Sequence, residues 1–123
     1  MNRFKIIFLL GLLIGAYACK KNQVGGRATI KGVIVHHSKP IPNAVVYIKY
    51  NAIDFPGDNS ALYDSHVTAD NNGNYNVSVF KGTYYLYAVG KDLDIPLPND
   101  VKGGLSISIR NNENLVKSIA VTE

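Results

Sequence analysis

The chain has 123 residues, with 13 Lys and Arg against 9 Asp and Glu, a formal net charge of +4. That length suits one domain with a usable core, and so mild a charge, spread thinly, argues against a nucleic-acid partner. A single cysteine excludes an intramolecular disulfide.

The first predicted element is a leader. Arg3 and Lys5 precede an apolar run from Ile6 to Ala16, which closes on Ala16-Tyr17-Ala18-Cys19. Positive charge, a short apolar segment and small residues before a cleavage point make a secretory signal peptide, residues 1–18. The run is too short for a spanning helix, which takes about 20 residues. Cys19 in this position resembles the lipobox of bacterial lipoproteins, whose thiol is acylated with palmitate-type chains. Ala16 stands where lipoboxes favour Leu, and Tyr17 is bulky, so plain cleavage after Ala18 is the alternative. A buried thiol in a membrane-anchoring helix is another. Removing Arg3 and Lys5 leaves 13 − 2 = 11 basic residues against 9 acids, so much of the positive charge belongs to the leader. Residues 19–27, rich in Lys, Asn and Gly, read as a lipidated tether.

From Ala28 to Glu123 the pattern is β. Ile30, Gly32 and Ile34 alternate with Thr29, Lys31 and Val33; Ala44, Val46 and Ile48 with Val45, Tyr47 and Lys49; Tyr75, Val77 and Val79 with Asn74, Asn76 and Ser78; Tyr84, Leu86 and Ala88 with Thr83, Tyr85 and Tyr87; and Leu105, Ile107 and Ile109 with Ser106, Ser108 and Arg110. Ile119 and Val121 share a face in the last run. Alternate side chains of a strand point to opposite faces, so each run predicts one buried and one wetter face. Between them lie turn clusters such as Asp70-Asn71-Asn72-Gly73 and Lys81-Gly82. Asn51–Leu62 and Lys91–Gly103 read as longer loops, and Pro96 and Pro98 bar regular pairing in the second. About seven short strands with regular turns predict an all-β, Greek-key sandwich of immunoglobulin-like or prealbumin-like type. Gly82 before Tyr84 predicts a buried ring whose hydroxyl bonds nearby backbone, as in a tyrosine corner.

The segments Ile30-Lys31-Gly32-Val33-Ile34-Val35 and Lys39-Pro40-Ile41-Pro42-Asn43-Ala44-Val45-Val46-Tyr47-Ile48 resemble the opening strands of carboxypeptidase-regulatory-like (transthyretin-like) domains. Thr68-Ala69-Asp70-Asn71-Asn72-Gly73-Asn74-Tyr75 is similar to that family's hairpin, and Gly82-Thr83-Tyr84-Tyr85-Leu86 to its next strand. The likeness covers residues 28–123 and extends to exported lipoproteins of Bacteroidetes-type bacteria. It implies a non-catalytic scaffold, spacer or binding module of the cell envelope.

The residues themselves point to little chemistry. His36 and His37 are expected on opposite faces of a strand, where they cannot share one metal, and nothing fixes the distance to His66. Asp70-Asn71-Asn72-Gly73-Asn74 has Gly in the fourth place and Lys81 in the twelfth, so a hairpin turn fits better than a calcium loop. Asp92, Asp94 and Asp100 read as solvent-facing turn residues, with calcium binding in a mobile loop as the alternative. Asp64-Ser65-His66 is contiguous, whereas triads converge in space, so it is no evidence of catalysis. No catalytic residue, metal or cofactor is expected. Tyr47, Tyr85 and Tyr87 lie on the polar phase of two strands that the carboxypeptidase-regulatory-like resemblance implies are neighbours, and are the candidate binding residues, with Tyr50 and Tyr63 near the rim. Outward tyrosines suit sugar or protein contacts, and equally stabilise a half-exposed sheet.

The expected function is therefore a non-enzymatic, lipid-anchored scaffold or protein-interaction module, with a carbohydrate-binding module using the three tyrosines as the alternative. The outer membrane is the expected location. Lys20-Lys21 after the cysteine lean towards its periplasmic face.

Overall fold

The computed structural model describes residues 20–123, so the leader and Cys19 lie outside the described residues. Two open β-sheets form a sandwich. The first is centred on β1 (Val24–His36), which pairs antiparallel with β2 (Lys39–Pro40) and β5 (Asn74–Val79) along one edge. Its other edge takes β8 (Asn114–Val116) and β9 (Ile119–Ala120) in parallel. The second sheet runs β4-β3-β6-β7, all antiparallel, from β4 (Ser65–Thr68), β3 (Val45–Tyr50), β6 (Gly82–Lys91) and β7 (Asp100–Ile109).

The predicted alternation sets the core. Ile30 and Ile34 of β1 and Tyr75, Val77 and Val79 of β5 pack with Val46 and Ile48 of β3, Leu86 and Ala88 of β6, and Ile107 and Ile109 of β7. Each such aliphatic side chain contributes about 1.5–3 kcal/mol by leaving water. Tyr84 closes one end as expected. Its ring is fully buried and its hydroxyl lies 2.7 Å from the Phe80 carbonyl and 3.1 Å from that of Gln23. At the other end the segment after β9 stitches the sheets together, since Lys102 and Thr122 exchange both backbone hydrogen bonds at 2.9 Å.

Three local expectations change. β1 begins at Val24, inside the expected tether, because Gly25 and Gly26 form a bulge against β5 rather than a flexible link. A Cβ at Gly26 would sit 2.3 Å from the Val79 carbonyl oxygen, so only glycine permits the approach. β4 arises where no strand was foreseen. The loop expected over Lys91–Gly103 contracts to residues 92–99, as β6 and β7 pair from Gly82↔Ile109 to Lys91↔Asp100. The Asp70–Gly73 hairpin forms as predicted. Asp70 accepts from the backbone N–H groups of Asn72 and Asn74 at 2.8 and 2.9 Å, which hold its carboxyl below the usual range.

Candidate functional site

The outer face of the β4-β3-β6-β7 sheet carries the aromatic residues. Register places Tyr47 opposite both His66 of β4 and Tyr87 of β6, and Tyr85 opposite Lys49. Tyr47, Tyr85 and Tyr87 thus share one face of neighbouring strands. They do not make an open platform, because the loop 51–64 folds over them. Its Phe55 lies 5.1 Å and its Tyr63 5.7 Å from the Tyr87 ring, centroid to centroid, the latter nearly parallel at 13°. Tyr87 is left only 4% exposed. The expectation of an outward Tyr87 is corrected on this point: its alternation phase is right, but a lid of apolar rings covers it.

Polar contacts fasten that lid. The Tyr87 hydroxyl donates to Asp58 Oδ1 at 2.6 Å, and Lys102 Nζ donates to the same oxygen at 3.1 Å. Both hold the Asp58 carboxyl below its ordinary range, the tyrosine contact first. Tyr63 donates to the Gly57 carbonyl at 2.9 Å, and burial pushes its hydroxyl up to about 12. Asn59 caps a short 3-10 turn, Ser60–Leu62, by accepting from the Ala61 N–H.

Beside the lid runs a groove of about 390 Å³ between Tyr47, Tyr63 and His66, with Asp64, Ser65 and Thr68 on its walls. Tyr47 and Tyr63 stand 5.6 Å apart at 42°, and Tyr47 and His66 6.1 Å apart at 49°, so two half-buried tyrosines and an exposed imidazole line the groove. Tyr85, half-buried, lies on the far side of the lid, 5.9 Å from Phe55. Asp64, Ser65 and His66 do not assemble a relay. Asp64 Oδ2 accepts the Tyr50 N–H at 2.8 Å and lies 3.5 Å from Lys49 Nζ, which commits it to β3.

A second polar centre was not foreseen. Asp92, expected to face solvent, is 4% exposed, and His36 is 3% exposed. His36 Nδ1 and Asp92 Oδ2 are 2.6 Å apart; Asp92 Oδ1 accepts from Lys39 Nζ at 2.7 Å and from the Asp94 N–H at 3.0 Å. The His36 contact first, then Lys39 and Asp94, holds the Asp92 carboxyl far below the usual carboxylate range. An ionised carboxylate only accepts, so the shared hydrogen belongs to His36 Nδ1. Lys39 also bridges to Asp94, and Lys91 to Asp100 at 2.5 Å, so the predicted turn aspartates are all paired. His36 and Asp92 are 56 residues apart, and no local pattern announces their meeting.

No protein-family profile matches the sequence, and no curated relative is recognisably similar. Among solved structures, a proposed carbohydrate-binding protein of Pseudomonas aeruginosa superposes with a TM-score of 0.55. The match covers 85% of this chain and 93% of that one, at 15% identity. At that identity the likeness speaks for the fold alone.

Proposed function

We propose that the protein is a non-enzymatic binding module of the bacterial cell envelope, tethered to a membrane by acyl chains on Cys19, and that it takes a carbohydrate in the Tyr47–Tyr63–His66 groove. The observation that carries this reading is the groove lined by the rings of Tyr47, Tyr63 and His66 beside Asp64, Ser65 and Thr68. Aromatic faces suit the apolar side of a sugar ring, and the flanking oxygens suit its hydroxyls. The fold shared with a proposed carbohydrate-binding protein is compatible with this reading. The carboxypeptidase-regulatory-like resemblance and the leader support an exported, outer-membrane location. Tyr47 takes the central contact, Tyr87 supports the lid from beneath, and Tyr85, on the far side of the lid, lies outside the groove.

The test is retention of the detergent-solubilised chain on immobilised envelope and plant polysaccharides. Tyr47→Ala and Tyr63→Ala should each abolish retention that the wild type shows. A wild type that no polysaccharide retains overturns the reading and favours a protein-binding scaffold. That second reading has its own support, because Ile53, Phe55 and Leu62 expose apolar surface along the crest of the lid.

A further inference from the structure

At the rim beyond β1, two histidines and a glutamate converge. His37 has φ +49° and Ser38 φ +65°, so the chain leaves strand geometry immediately after His36. The alternation that would send the two imidazoles to opposite faces therefore fails, and their ring centroids lie 4.0 Å apart at 47°. The expectation that the adjacent histidines face opposite ways is corrected by this turn. Glu123, just beyond β9, approaches from the opposite edge of β1, and its Oε1 stands 3.9 Å from His36 Nε2. One ligand atom from each of the three residues falls within 4.8 Å of the others.

We propose that His36 Nε2, His37 and Glu123 form a binding site for a divalent transition-metal ion of the zinc class. The 3.9 Å gap is too long for a hydrogen bond, yet two metal–ligand bonds of about 2.0–2.2 Å span it with an ion between them. His37 and Glu123 are exposed, and Glu123 keeps 60% of its side-chain surface, so both close the remaining distance by turning. His36 is preset. Asp92 takes its Nδ1–H from the far side and Lys39 fixes Asp92, which aims Nε2 at the cleft. A carboxylate behind a ligating imidazole is what orients such ligands and raises their basicity. Two imidazoles with one carboxylate suit zinc, nickel or copper(II), whereas calcium and magnesium prefer oxygen alone. Three protein ligands leave a fourth position for water. The ion would join the end of β1 to the segment following β9.

Titration calorimetry of zinc chloride into the untagged chain carrying Cys19→Ser, which removes the thiol as a competing ligand, should give one site of micromolar affinity. His37→Ala and Glu123→Gln alter exposed residues outside the core, and each should weaken binding about tenfold or more. Zinc should shift the ring resonances of His36 and His37 but not those of His66. No binding below millimolar zinc, wild-type affinity in both variants, or shifts centred on His66 would each overturn the proposal.

Discussion

Two loops fasten themselves to this sandwich by different means. The loop 51–64 lies over the outer face of the β4-β3-β6-β7 sheet through stacked rings, with Tyr87 buried beneath Phe55 and Tyr63. The loop 92–99 is pinned at the rim by ions, with Asp92 buried between His36 and Lys39. Apolar contact tolerates changes of pH and depends on shape. A buried carboxylate depends on its charge and on every partner staying in place. The same fold thus carries one latch resting mainly on packed rings, with Asp58 as its exposed charged contact, and one resting on a buried charge.

The largest effect expected from breaking this contrast is at the lid. Tyr87→Ala should cost about 3–5 kcal/mol, the usual range for removing a buried ring, and should speed amide exchange across residues 51–64 while leaving residues 92–99 protected. Tyr87→Phe removes only the hydroxyl contact with Asp58 and should cost about 1 kcal/mol, which urea unfolding distinguishes.

Acid should reverse the order of the two loops. Asp92 is held below its unfolded value, so its stabilising contribution is complete above about pH 4 and is lost as pH falls further towards the folded value. Melting temperature followed from pH 6 to pH 2 should fall less steeply in Asp92→Asn than in the wild type. The variant should also melt lower at neutral pH. An acid slope unchanged by Asp92→Asn would show that the rim latch does not titrate with this carboxyl. Base gives no matching handle on the lid, because burial lifts Tyr63 to about 12 and Tyr87 higher still.

The smallest effect sharpens the comparison. Lys102 reaches Asp58 from an exposed position, so Lys102→Ala should change stability by no more than about 1 kcal/mol, and less in high salt. A larger loss would mean that the lid, too, rests on charge.

Much of the fold was legible because alternation is a local signal. Ile30, Ile34, Val46, Ile48, Val79, Leu86 and Ile109 all face the core, as their spacing predicts. β4 escaped notice because Ser65-His66-Val67-Thr68 offers one aliphatic residue, and pairing with β3 alone makes it a strand. Gly25-Gly26 looked like a tether since glycine is permissive. Here that freedom serves a close approach to Val79 instead. The sites were harder to read. Alternation gave the phase of Tyr87 correctly but could not foresee a lid arriving from another part of the chain. The His36–Asp92 contact spans 56 residues, and the convergence of His36, His37 and Glu123 depends on left-handed backbone already at His37 and on the return of the segment after β9.

The parallel docking of β8 and β9 on β1 joins stretches about 85 residues apart. Until that late ribbon arrives, β1 shows a bare row of amides and carbonyls along one side. Such an edge accepts a neighbour's strand as readily as its own. Folding at high concentration should therefore yield swapped dimers, in which each molecule finishes the other's sheet.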